Sequence, residues 1–286
     1  MPVATTQFGH LAVSKVILGS NPFSGFSHQG VEADLEMKHY FTTAHIKATL
    51  RQAEELGLTT FIGRADHHIM RVLFEYWDEG GTLQWLAQTC PELGTIERGV
   101  QNAINGGAKA CYVHGGVMDH LLATGKLDEV PPAIAMIKDA GLLAGVAGHN
   151  PAVFRWAEEQ LDVDFYLCAY YNPIPRVKSG EHVAGFDEQY LPEDREAMAA
   201  TIAGLSKPAI HYKVLAAGRN DPREALIFVA RHLRPRDAVC LGIFSKHHQQ
   251  MLAEDIRILD EALNAVQPVN ELQSPAAALN EQKGGQ

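Results

Sequence analysis

Four short apolar segments end in side chains of the kinds that bind metals and move protons. CYVHGG closes on His114, GVAGHNP carries His149 and Asn150, AIHYKVLAAGR carries His211 and Lys213, and TFIGRADHH carries Arg64, Asp66, His67 and His68. Neutral imidazoles beside a carboxylate make open sites for Zn²⁺, Fe²⁺ or Mn²⁺, so His114, His149 and His211, with Asp66, form a candidate metal set. No HxH or HExxH pairing supports that set, which rests on placement alone. The same residues could perform metal-free acid–base work. Lys213 could serve as base, electrostatic clamp or Schiff-base nucleophile, or be held in a plain ion pair with Asp66. Arg64 has the fork geometry for a carboxylate or phosphate. Tyr170, followed by Tyr171 and Asn172, could stack on or hydrogen-bond a hydroxylated substrate. Asn21, His28, Asn150 and Arg176 could add further polar contacts to the substrate.

These residues need elements to position them. Eight apolar, strand-like runs alternate with helical patterns: 15–21, 59–66, 82–89, 108–115, 142–149, 164–172, 208–215 and 238–245. Between them the 3.6-residue spacing predicts helices near 44–58, 68–77, 95–107, 130–141, 151–161, 191–206, 221–233 and 247–266. Strict alternation predicts a parallel sheet, and eight units in this length predict a single-domain (β/α)₈ TIM barrel over 1–266. Residues 267–286 read as a disordered polar tail. Strand C-termini are where such barrels keep their chemistry, which gathers the polar ends at one mouth. Two long connections, 21–43 and 172–191, leave that face and read as lids or specificity walls. Alternation along a strand puts Arg64 with Asp66, Tyr112 with His114, and His211 with Lys213 on shared faces. A lone buried histidine is more often a satisfied core residue than a ligand, and His211 lies deepest. Three histidines at three strand ends favour a site.

Composition narrows the classes. The 286 residues carry a formal net charge of −10, which argues against nucleic acid and anionic membranes as partners. No run approaches the roughly 20 apolar residues of a bilayer span. The start, MPVATTQFGHLAVSK, lacks a basic segment followed by an apolar one, so no secretory leader is expected. Cys90, Cys111, Cys168 and Cys240 form no CxxC pair and read as free thiols in a reducing, cytoplasmic setting.

The order of several segments resembles the aldo-keto reductases. VSKVILGSNPFSG is similar to that family's first strand, GLTTFIGRAD to its second, CYVHGG to its fourth, KVLAAGR to its seventh, and AVCLGIFSKHHQQMLAEDIRIL to its eighth strand and following helix. The resemblance implies the barrel, and implies NADP as a cofactor whose phosphate Ser245 and Lys246 would hold. The family's catalytic tetrad is Asp, Tyr, Lys and His. Here Ile62 stands at the Asp position, His67 or His68 near the Tyr, Gln88 or Thr89 at the Lys position, and His114 at the His position. The resemblance therefore implies an aldo-keto reductase-like barrel with altered chemistry.

The expectation is an enzyme for a small polar substrate, a sugar derivative or a hydroxy or oxo acid. It would act by acid–base, metal-assisted elimination, isomerisation or hydrolysis, as a monomer or homo-oligomer. The alternative is an NAD(P)H-dependent oxidoreductase with a rebuilt active site. A non-catalytic sensor is a third reading, disfavoured by so many titratable groups converging on one cavity.

Overall fold

A computed structural model of the chain describes residues 3–181 and 188–266. The 267–286 tail and positions 182–187 of the second long connection lie outside the described residues. A hairpin, β1 (Thr5–Phe8) and β2 (Leu11–Ser14), precedes the barrel. Eight parallel strands then close on themselves: β3 (Val16–Gly19), β4 (Thr60–Arg64), β5 (Gln84–Gln88), β6 (Ala110–Val113), β7 (Leu143–Gly148), β8 (Phe165–Ala169), β9 (Ala209–Tyr212) and β10 (Ala238–Gly242), with β10 pairing back onto β3. The expected single-domain (β/α)₈ barrel is the observed architecture.

The helices are α1 (Val31–Tyr40), α2 (Thr43–Glu55), α3 (His67–Asp78), α4 (Ile96–Asn105), α5 (Gly115–Thr124), α6 (Pro131–Asp139), α7 (Pro151–Gln160), α8 (Pro192–Gly204), α9 (Pro222–His232) and α10 (Met251–Ala265). Their starts follow local chemistry. The side chains of Thr42, Asp66, Thr95, Asn150 and Asp221 each accept a backbone N–H in the first turn. Such a cap contributes about 1 kcal/mol. No helix among the described residues is long and apolar enough to cross a membrane.

Two helices depart from the sequence reading. Helix α1 lies inside the 21–43 connection, read as a loop. Helix α5 follows β6 directly, where no helix was expected before 130. Its sequence, GGVMDHLLAT, opens on two poor helix formers and buries several faces, so it lacks the one-sided stripe that periodicity detects.

Inward residues Ile17, Ile62, Leu86, Tyr112, Leu143, Phe165, Leu167 and Ile210 fill the barrel, joined from below by Phe8 and Val13 of the hairpin. Phe8 packs against Phe165 with the rings tilted, centroids 5.8 Å apart, at the N-terminal ends of the strands. Outward residues such as Val113, Cys168 and Val239 pack with the helices. The four cysteines are free thiols, as expected.

A buried polar cluster lies between barrel and helices. Asp237, wholly buried, accepts from Ala209 N (2.8 Å) and Arg234 Nε (2.7 Å), and meets His211 Nε2 at 3.3 Å. Burial pushes the Asp237 carboxyl up, but the bonds from His211 and Arg234 outweigh it and hold its pKa below 3.8. Its stabilising contribution is therefore present above pH 3.8 and lost as pH falls further. Asp237→Ala is expected to cost about 3–5 kcal/mol, read from urea unfolding at neutral pH; a midpoint like the parent's would refute it.

Candidate active site

The C-terminal ends of the strands enclose a cavity of about 130 Å³ whose walls include Asn21, His28, Arg64, Gln88, His114, His149, Arg176, Tyr212 and Lys213. That volume lies below the roughly 300–1,000 Å³ of clefts for drug-sized ligands, and suits a molecule of a few carbons.

Lys213 enters the cavity by breaking a rule of strands. Tyr212 packs against the barrel interior, so simple alternation would send Lys213 outward. Its φ of 57° turns the chain, and both side chains reach the cavity. His28, on the connection after β3, also has a left-handed φ, 58°. Two such non-glycine residues cost on the order of 1–3 kcal/mol each and cluster at functional sites. They meet: Lys213 Nζ lies 3.1 Å from His28 Nε2. The opposite ring nitrogen of His28 is 2.8 and 2.9 Å from the two Glu188 oxygens, and the Tyr190 hydroxyl donates to Glu188 at 2.6 Å. Burial, opposed by Glu188 and reinforced by Arg176 and Arg219, brings Lys213 down from 10.5 to about 8. Glu188, pushed up by burial but held by the hydrogen bond from His28, lies at about 2.

A second carboxylate–imidazole pair stands in the same wall. His149, just past β7, meets Asp119 of α5 through Nδ1 at 2.6 Å. Asp119 also accepts the backbone N–H groups of His149 and Asn150 at 3.1 Å. Burial lowers the His149 pKa against the raising effect of Asp119, so the ring is neutral at pH 7, with Nδ1–H donating to the carboxylate. Its Nε2 is left as an acceptor, 3.5 Å from the Tyr212 hydroxyl. Burial raises the Tyr212 pKa well above 10, so that hydroxyl stays protonated. Gly115 makes the approach feasible: a Cβ there would lie 2.8 Å from the Tyr212 hydroxyl and 3.2 Å from both Gly148 N and His149 Cε1.

His114 caps the start of α5, and burial keeps it neutral, well below 6.5. Its Nδ1 is buried without a hydrogen-bond partner among the described residues, which leaves a polar atom for a ligand. Arg176 is buried and donates to the Glu181 carbonyl at 2.7 Å; no described carboxylate lies within ion-pair distance of it. Among the described residues it is a cavity-lining cation with no carboxylate partner, suited to hold an anion. Arg64, expected in that role, donates to Asp66 at 2.8 Å, pairs with Glu92, and lies 4.9 Å over the Phe26 ring.

Several expected site residues stand elsewhere. Asp66 accepts the Ile69 N–H as the cap of α3 and pairs with Arg64, not Lys213. His211 faces the helices: the Tyr170 hydroxyl donates to its Nδ1 at 2.9 Å, and its Nε2 faces Asp237. Tyr170 meets Phe228 edge-to-face on that outer side, ring centroids 5.6 Å apart. Neither lines the cavity, so His211 and Tyr170 are core residues. The shared face drawn for His211 and Lys213 fails because φ turns positive between them. Asn150 caps α7, and with Asn172 it lines a neighbouring cavity of about 580 Å³ that also touches Asp119 and Arg176. Asn21 and Arg176 line the candidate cavity. Sequence reasoning missed Asp119, Glu188 and Tyr212. The clue to Asp119 was a carboxylate inside an apolar run, VMDHLL; Tyr212 lies between His211 and Lys213, on the opposite face of a regular strand.

The expected metal set does not assemble. His211 lies behind the wall with both nitrogens engaged, Asp66 is turned to Arg64 and its helix, and the described residues hold no group of three His, Cys, Asp or Glu side chains placed for an ion. NADP fits no better at the expected residues. The Ser245 hydroxyl bonds that of Tyr40 at 3.2 Å, and Lys246 pairs with Glu36 at 2.6 Å, so both groups already have protein partners.

No protein-family model matches the chain, and no curated protein matches its sequence. Solved structures do share the fold. A putative aldo-keto reductase from Pseudomonas aeruginosa superposes with a TM-score of 0.63 at 17% identity, covering 91% of this chain and 96% of its own. A putative 2,5-diketo-D-gluconic acid reductase B gives 0.56 at 12%, covering 96% and 95%. A truncated 3-deoxy-D-arabino-heptulosonate 7-phosphate synthase from Thermotoga maritima gives 0.56 at 10%, covering 92% and 93%. At these identities the likeness is one of fold.

Proposed function

We propose that this chain is an enzyme that transfers protons on a small anionic substrate, a hydroxy or oxo acid or an acidic sugar derivative, in an isomerase- or lyase-type reaction. The observation that carries this reading is the convergence of two carboxylate–imidazole pairs, Asp119–His149 and Glu188–His28, on one cavity that also holds Lys213 and Arg176. A neutral imidazole oriented by a buried carboxylate is the arrangement of a general base, and such groups contribute roughly 10²–10⁴-fold. His149 Nε2 would take a proton next to the substrate carbonyl. Tyr212, held protonated, would donate to the oxygen on which charge develops, and Arg176 would hold the carboxylate. The hydride-transfer reading is supported by the likeness of fold; the resemblance sets Ile62 against that family's Asp and Gln88 or Thr89 against its Lys, and Ile62 packs inside the barrel while Gln88 ends β5.

The test is solvent exchange. In D₂O, proton NMR of a panel of small 2-oxo and hydroxy acids with the protein is expected to show deuterium entering at the carbon beside the carbonyl or hydroxyl. The His149→Gln variant should exchange about 10²–10⁴-fold more slowly. No exchange with any acid, or equal exchange by the variant, would overturn the reading.

A further inference from the structure

We infer that Lys213 is a nucleophile that condenses with the carbonyl group of a small 2-oxo acid to form an imine. The inference rests on the acid–base reading above and names the substrate class of that same cavity.

Three observations carry it. First, Lys213 is the lysine among the described residues of the cavity wall, and it reaches that wall through a left-handed backbone that alternation alone would not give. Strain of that kind persists where the surroundings over-determine it. Second, its Nζ is not salt-bridged to a carboxylate among the described residues; it meets an imidazole nitrogen at 3.1 Å, with Glu188 behind that ring. A carboxylate partner would hold the ammonium charged, whereas His28 can take the proton away. Burial works in the same direction, bringing the amine to about 8. Third, Arg176 offers the same cavity a guanidinium that pairs with no carboxylate among the described residues, so a carboxylate beside the reacting carbonyl would be held.

The step balances without any redox partner. Neutral Nζ adds to the carbonyl carbon, a C–N bond forms, and the C=O π pair moves onto oxygen. His28 Nε2 takes the proton that nitrogen sheds and returns it to that oxygen. The hydroxyl then leaves as water, aided by one further proton, and C=N⁺ forms on Lys213. The iminium nitrogen is an electron sink that acidifies the neighbouring C–H, whose proton His149 would take.

Borohydride trapping tests this. The full chain is incubated with pyruvate, glyoxylate or glyceraldehyde, with and without sodium borohydride, then analysed by intact mass and peptide mapping. The expected result is a single borohydride-dependent adduct on Lys213, strongest with the two oxo acids and absent from Lys213→Arg. His28→Ala should label at least tenfold more slowly at pH 7 and approach the parent at pH 9, a pattern that mere misfolding would not give. No adduct with any of the three, or labelling scattered over surface lysines and unchanged in Lys213→Arg, overturns the inference. Deuterium exchange that proceeds without an adduct would remove the covalent step alone; loss of both would remove the acid–base reading as well.

Discussion

Lys213→Met is expected to lower the exchange rate on the order of 10⁴-fold or more, the scale seen when a covalent nucleophile is removed. Lys213→Arg should not rescue it, because a guanidinium keeps its proton at any working pH. The parent's pH profile gives an independent reading of the same group. With Lys213 at about 8, the reactive free amine is the minor form below that pH. The rate should climb about tenfold per pH unit up to pH 8 and then level off. An ordinary lysine would keep climbing to about pH 10.5. Thermal melts of both variants supply the folding control. A Lys213→Met protein with near-parental exchange, or a profile that is flat through pH 8, would refute the assignment.

Asp119→Asn is expected to slow exchange by about 10²–10⁴-fold while leaving the chain folded. A carboxamide can still accept one backbone N–H at the start of α7, which preserves the local structure. It can also present NH₂ to His149 Nδ1, which would turn the ring to the wrong tautomer and leave Nε2 protonated. The loss should therefore fall on kcat more than on KM, because Asp119 orients the base and does not touch the substrate. A loss confined to KM would assign Asp119 to binding.

The barrel was legible because its signals are local and repeated. Each strand is an apolar run, and each of several helices opens on Thr, Asp or Asn with proline or an acid behind it, as at Asp221–Pro222. His114, His149 and Lys213 were legible as cavity-lining residues because strand ends converge in any such barrel. His211 misled because parity is a rule about regular strands, and β9 stops being regular two residues later, at Lys213. The metal set fell with it. Asp119 was hidden for a different reason: it lies on a helix without a polar face, whose only mark in the sequence is the charge itself. Glu188 needed tertiary information, since 160 residues separate it from His28.

The hairpin that precedes the barrel has a kinetic consequence. Phe8 and Val13 pack into the barrel at the end opposite the cavity, so among the described residues the approach to Lys213 is from the C-terminal face. Reactant arriving at Lys213 and product leaving it must share that passage, and neither can be flushed through from below. Each turnover then waits for the previous occupant to depart. Product should accordingly act as a competitive inhibitor against incoming reactant, and crowding agents that thicken the solvent should slow the cycle once chemistry is fast.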